Sequence, residues 1–472
     1  MPRVLVALSA LAVAVTLVSA SHAAPHRARA GNRQFVAPAG SGALFLLSGH
    51  GWGHGVGMGQ WGAQGYAQQG YTYQQILAAY YPGTFPGQTT TTSIRVLLAS
   101  GKKKLTISSS RPITVTDVNG VDHTLPAGKT TVTPALELAV DGGSKQALTP
   151  PLTFSPASGS TVSLGRAYRG QILVDVVNKK LRAINALPLE QYLDGVVPAE
   201  MPSAWLPAAL EAQAVAARSY ALANSRAAAP FDVYADGRSQ AYLGVSAEKP
   251  AATAAVDETV GEVLLFDGEV ADTLFSSSTG GRTQSAADAF GPPGRPYLVS
   301  VKDPYDTSSP YHDWGPVAVT AKSLDDALGV GSRIVDATVA RNSSQRVKTI
   351  RLTSLSRGKQ NKSSVGGGAM ASALGLRSTW FSVGVLSLQP PFPNPPVAPG
   401  TRVRLTGVVR GLRGVVVQER SRGTAWKQLR KVVPAGKTGT FHFAVKPRVT
   451  TDFRLATTHD AAAFVRIRVQ PG

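Results

Sequence analysis

Apolar and polar positions alternate with a period of two along two long stretches of the chain. In residues 92–190, Ile94-Arg95-Val96-Leu97-Leu98, Ile113-Thr114-Val115, Thr130-Thr131-Val132 and the run 172–177 are separated by turn clusters. β-Branched residues in that arrangement predict strands with little helix. Beyond residue 400 the pattern returns at Val403 and Leu405, at 415–417, at Phe441, Phe443 and Val445, and at Phe464, Val465, Ile467 and Val469. Short runs with Gly and Pro between them predict a small, Ig-like β-sandwich. Helical spacing replaces alternation in between. Leu206, Leu210, Ala214 or Val215, Ala217 and Ala221 form the apolar stripe of an alanine-rich helix from about Trp205 to Asn224, with Pro207 suited to its first turn. Tyr73, Ile76, Leu77 and Tyr80 also repeat at helical spacing and are expected in the core. Strand signals at 263–266, 271–275, 334–340 and 347–352, and a helical one at 324–328, complete an α+β class.

The 472 residues suggest two or three domains. Val4 to Val18 is an apolar run of signal-peptide length behind Arg3, and Ser21-His22-Ala23 offers a cleavage site, so residues 1–23 are expected to be a secretory signal. Residues 24–40 read as a flexible lead-in, 41–386 as the main body with a β-rich insertion near 92–165, 387–400 as a proline-rich linker, and 401–472 as the sandwich. The formal charge is +20, and the last 72 residues carry 15 Lys and Arg against 3 Asp and Glu. An exported chain so basic is expected to meet an anionic cell wall rather than nucleic acid. The sandwich arginines form either a solubilising face or an adhesion surface. With no cysteine, disulfides, thiolate metal sites and a cysteine nucleophile are excluded.

Three segments carry candidate chemistry. In Gly49-His50-Gly51-Trp52-Gly53-His54-Gly55-Val56-Gly57-Met58-Gly59-Gln60-Trp61-Gly62 every second residue from 49 to 59 is glycine. In an extended chain this puts the glycines on one side and His50, Trp52 and His54 on the other. His50 and His54 could serve a metal on a helix, but six glycines oppose that helix. Gly57-x-Gly59-x-x-Gly62 matches a dinucleotide fingerprint without the surrounding strand–helix–strand unit. The aromatics Trp52, Trp61, Tyr66, Tyr71, Tyr73, Tyr80 and Tyr81 favour a sugar-binding wall. Second, Glu200 in Val196-Val197-Pro198-Ala199-Glu200-Met201-Pro202 sits among apolar residues, where burial would raise its pKa as a general acid requires; a place near a helix N-terminus would lower it instead. Third, Ser276 to Gly281 is either a tight bend or a hydroxyl-rich contact. No G-x-S-x-G occurs.

The ordered segments Tyr168-Arg169-Gly170, Ala183 to Pro202, Glu211 to Ala221, Ser239-Gln240-Ala241-Tyr242-Leu243-Gly244, Ser276 to Thr283 and Leu374 to Phe381, with the glycine–histidine motif, resemble the SpoIID/LytB family over most of residues 41–385. That family's namesakes are a sporulation lytic transglycosylase and an amidase enhancer. The glycine–histidine motif stands first here, where the family pattern has it last, which implies a circular permutation. Phe45–Gly53 is then expected beside Phe381–Val383. The resemblance implies peptidoglycan glycan strands as substrate, Glu200 as catalytic acid and base, and Arg218, Ser219, Tyr220, Gln240, Tyr242, Ser278, His50, His54, Gln60 and Trp52 as substrate contacts. It also implies a secreted, wall-located protein and, on the enhancer branch, an amidase partner. The zinc of some members uses a cysteine, so neither metal nor other cofactor is expected.

Overall fold

The computed structural model describes residues 35–40, 42–226, 228–331, 333–433 and 439–470. The expected signal peptide lies outside them. The chain is strand-rich α+β and divides into two compact units, one running from Tyr66 to Leu274, the other comprising the residues up to Gly65 together with Phe275 onward.

The first unit is built on a seven-stranded sheet whose centre is Ser93–Lys102, Lys180–Pro188 and Gln171–Val177, paired antiparallel. The period-two pattern is realised here by Ile94, Val96, Ile172 and Val174, all buried. Lys180–Pro188 runs directly into a helix, Leu189–Glu200, and a short turn leads to the alanine-rich helix Pro207–Ala223. The latter matches the expected span, with Pro207 in its first turn. It is not a one-striped helix, however. Ala209, Leu210 and every residue from Ala212 to Ala221 are buried, while Leu206 is the exposed N-cap. Small side chains let neighbours enclose it on all sides. Tyr73–Tyr80 is also helical, capped by Thr72 and Gln75, and buries Ile76, Leu77 and Tyr80 as expected, whereas Tyr73 is half-exposed and donates to Glu262 instead of joining the core.

In the second unit, the opening strand Leu44–His50 lies between Asp313–Thr320 and the closing strand Phe381–Gln389. The closing strand pairs in turn with Val403–Arg410, and that with Thr440–Val445. Register places Phe45 opposite Val385, Leu47 opposite Val383 and Gly49 opposite Phe381, the contact expected from the permuted order. This sheet is buried on both faces. Phe45, Leu47, Val383 and Val385 join one core with the hairpin Arg333–Arg341 and Val347–Ser356. Leu44, Leu46, Leu386 and Leu388 join another with Leu405, Val417, Phe453, Leu455 and Ile467. The unbroken Leu44-Phe45-Leu46-Leu47 run is the sequence signature of a strand covered on both sides.

Two boundaries expected from sequence are therefore corrected. The segment 387–400 is not a free spacer: the closing strand continues to Gln389, and Val397 exchanges backbone hydrogen bonds of 3.0 and 2.9 Å with Arg468 and Gln470. The residues after 400 form no separate sandwich, because their first strand extends the body's sheet. Nor is all of 24–40 a loose lead-in; Phe35–Val36 pairs in parallel with Asp460–Ala461.

Candidate functional site

Glu200 ends the helix Leu189–Glu200, at the pole where the dipole disfavours a carboxylate, so the N-terminal placement considered from sequence does not hold. It is half-buried rather than fully desolvated. Its Oε1 accepts the backbone N–H of Ala241 at 2.8 Å. Gln240 holds that N–H in place: its Oε1 accepts the Tyr192 hydroxyl at 2.9 Å, and its Nε2 donates to the Ala217 carbonyl at 3.2 Å. The loop is thereby tied to both helices. Tyr242 anchors its other end, donating to Asn185 Oδ1 at 2.7 Å while Asn185 Nδ2 donates to the carbonyls of Arg169 and Gln171.

Two phenols share this neighbourhood. Burial, and then the Glu200 charge, push Tyr192 well above the ordinary tyrosine range. Burial pushes Tyr220 up to about 12, with Asp272 and then Glu200 adding to it. Both are neutral donors at neutral pH. Asp272 accepts from Asn224 Nδ2 at 2.9 Å and is the second acid beside Tyr220. Asp194, the nearest acid in sequence, faces elsewhere: burial raises its pKa, a bond to Thr253 opposes this, and Glu248 and Asp257 raise it further.

The structure separates the sequence candidates. Glu200, Tyr220, Gln240 and Tyr242 are brought together in the first unit, but Tyr220, Gln240 and Tyr242 are buried, which leaves Glu200 as the half-exposed member. Arg218 and Ser219 are fully buried and cannot touch a substrate. Arg218 Nε donates to Glu190 at 3.0 Å and Nη1 to the Glu262 carbonyl at 3.0 Å, while Ser219 Oγ donates to the Val215 carbonyl at 2.8 Å and accepts from Leu264 N at 2.9 Å. Arginine on an otherwise apolar helix enters the core only with such partners.

The glycine–histidine segment belongs to the second unit and is not an extended strand. Gly51, Gly53, Gly55 and Gly57 all take positive φ, between 69 and 101°. The alternation records a winding loop packed against 276–284, through bridges Trp52–Ser278 and Val56–Gln284. A Cβ on Gly51 would lie 2.7 Å from the Ser278 carbonyl oxygen, and one on Gly55 would collide with Arg346 Nη2. Ser278 is wholly buried and donates to Asp306, so it is a strut too. His54 Nδ1 accepts the Val56 N–H at 3.0 Å, and burial, with Arg346 nearby, pushes its pKa down to about 4. It is a neutral structural imidazole. Gln60 is buried. Trp52, His54, Trp61 and His50 are half-exposed; Trp52 lies edge-on to Tyr311 at 4.3 Å, and His50 is paired with Asp313 at 2.6 Å and tilted against Trp380 at 4.9 Å. Arg377 lies over both Trp52 and Tyr311. Sequence reading missed Tyr311, Asp313 and the roles of Arg377 and Trp380. The run Tyr311-His312-Asp313-Trp314 was the available signal. Among the described residues no group of three or more His, Cys, Asp or Glu could hold a metal ion.

The first unit thus presents a half-buried glutamate fixed by one backbone donor and flanked by neutral phenols, the equipment of a protein that holds or protonates a polar ligand. The helices Leu189–Glu200 and Pro207–Ala223 and the strand Lys180–Pro188 fall in residues 177–266, which match the family model "Stage II sporulation protein". Stage II sporulation protein D of Bacillus subtilis (strain 168) is 32% identical over 176 residues, covering 34% of this chain and 51% of that protein. Its namesake in Bacillus amyloliquefaciens is 30% identical over 230 residues, 44% of this chain and 64% of that protein. An "Amidase enhancer" of Bacillus subtilis (strain 168) is 37% identical over 122 residues, 26% of this chain and 16% of that protein. The chain therefore spans less than two thirds of each of these relatives. The family match and these relatives support the resemblance of this region to the SpoIID/LytB family.

Proposed function

We propose that the chain is a secreted, cell-wall-acting lytic transglycosylase that cleaves the MurNAc–GlcNAc bond of peptidoglycan. The observation that carries this reading is Glu200, half-buried at the end of its helix and held by the Ala241 N–H. As the protonated acid, Glu200 gives its proton to the glycosidic oxygen, and the C1–O bond breaks as the GlcNAc 4-hydroxyl leaves. The resulting carboxylate accepts the proton of the muramic 6-hydroxyl while O6 bonds to C1. That closes a 1,6-anhydro ring, regenerates the acid and consumes no water. Tyr220, buried and neutral up to about pH 12, forms an uncharged wall behind Glu200 rather than a sugar contact. One carboxylate suffices because the nucleophile belongs to the substrate, whereas an inverting or retaining hydrolase needs two.

The similarity to an amidase enhancer supports a second reading, in which the chain binds wall glycan and stimulates a partner amidase without cleaving. Glu200→Gln separates the two. Release of 1,6-anhydro fragments by the wild type and none by the variant supports the enzyme; equal stimulation of an amidase by both, with no fragments, supports the enhancer. Asp272→Asn tests the hydrolytic rival: on the transglycosylase reading anhydro ends persist, and water-derived reducing ends lost in this variant would replace the mechanism.

A further inference from the structure

The outer face of the last sheet carries an alternating stack of guanidinium groups and rings. Arg454 lies 4.1 Å over Trp426, Arg420 lies 4.5 Å over Trp426 and 5.3 Å over Phe464, and Arg466 lies 5.3 Å over Phe464. Strand register explains the alignment. Gln418 faces Arg454 and Arg420 faces Asp452 across Val416–Ser421 and Thr451–Ala456, and Asp452 faces Arg466 on Val465–Ile467. Their alternates Val417, Phe453, Leu455, Val465 and Ile467 fill the core.

Two of the three guanidiniums share one carboxylate. Arg466 binds Asp452 through Nε and Nη2, Arg420 reaches it through Nε at 3.3 Å, and Arg454 Nε donates instead to Gln418 at 2.8 Å. Arg454 is buried and braces the stack from within, whereas the Arg420 and Arg466 side chains are 35% and 53% exposed. The neighbouring strand Lys427–Lys431 is exposed throughout and adds Lys427, Arg430 and Lys431. A merely solubilising face needs none of this order, since scattered lysines serve as well. Stacking on rings removes rotamer freedom from long side chains and leaves planar N–H edges preorganised for phosphate oxygens.

We infer that the Arg420–Arg466 face, braced by Trp426, Phe464 and the buried Arg454, is a docking site for a phosphodiester-linked anionic polymer of the cell wall. The choice of a wall polymer rests on the proposed cell-wall function; the requirement for spaced phosphates rests on the surface itself. Charge complementarity is the argument: the residues from 401 onward hold 15 basic against 3 acidic side chains, and here the bases are ordered.

The test uses the full chain and soluble poly(glycerol phosphate), with affinity measured across a salt series. R420Q/R466Q is expected to weaken binding about 10-fold or more at low salt and to flatten the slope of log affinity against log salt by about 1.5, as loss of two phosphate contacts dictates. R402Q/R404Q removes the same charge from exposed positions outside the stack and is expected to leave affinity within about 3-fold. Equal loss in both variants overturns the site in favour of diffuse charge. Tighter binding to duplex DNA or to anionic lipid vesicles than to the polymer overturns the choice of partner. Should R420Q/R466Q fail to fold, R420K/R466K keeps the charge and loses the planar edges; undiminished binding there also refutes the proposal. Glu200→Gln should bind the polymer normally, so failure of the catalytic reading and failure of this one are told apart.

Discussion

At the residue scale, exposure decides which polar side chains can act on a ligand. The family resemblance makes Arg218 an expected substrate contact, yet it is fully buried against Glu190 and the Glu262 carbonyl. Removing it strands a partly buried carboxylate, so Arg218→Gln is expected to destabilise the fold by about 3 kcal/mol, read from the denaturant midpoint. Wild-type stability with lost glycan binding would return it to the substrate. His54 makes the opposite kind of test. Its folded value of about 4 lies below the ordinary 6.5, so between those pH values the unfolded chain binds the extra proton and stability falls as pH falls. The loss is expected to reach about 2 to 3 kcal/mol by pH 4. His54→Gln should flatten the acid limb of a denaturation-against-pH series; an unchanged limb would mean that His54 is not held neutral.

Elements were legible where one physical signal dominated and obscure where tertiary packing overrode it. The alanine-rich helix and the strand pair from Phe45 and Phe381 were readable, because composition and motif order each pointed one way. The helix Leu189–Glu200 was not. Gly195 and Pro198 argue against helix in sequence, and burial of Leu189, Tyr192, Leu193, Val196 and Val197 outweighs them. The glycine has its own reason: a Cβ there would meet Tyr242 Cε2 at 2.8 Å. Gly195→Ala should therefore lower stability by about 1 to 3 kcal/mol despite alanine's better propensity, and should lower kcat as the Ala241 N–H moves off Glu200. A more stable variant with full turnover would show the contact to be yielding. The glycine–histidine loop misled for a related reason. Alternate glycines suit an extended strand by pattern, but here they supply alternate positive φ. Sequence periodicity alone does not separate the two.

For the whole molecule, charge and apolar patterning pointed to the class but not to the seams. Counting prolines suggested a spacer and a detachable C-terminal module. The second core contradicts that, because Leu44, Leu46, Leu386 and Leu388 pack with Leu405, Phe453 and Leu455. Ending the chain at residue 386 would strip the cover from Leu44, Leu46 and Leu386 and leave the edge of what remains of the closing strand unpaired. The truncated chain is expected to be insoluble, or to lose cooperative unfolding of its second unit by calorimetry. A soluble fragment with an unchanged transition would establish the independent module that the proline run suggested. Polymer docking is for the same reason tested by point variants rather than by deletion.

The central claim is that Glu200 alone moves the protons of a cleavage that uses no water. Mass spectrometry of fragments released from purified peptidoglycan tests it most directly. The account predicts 1,6-anhydromuramic ends from the wild type, the same ends from Asp272→Asn, and none from Glu200→Gln. Reducing ends carrying oxygen from labelled water, or anhydro ends undiminished in Glu200→Gln, would contradict it.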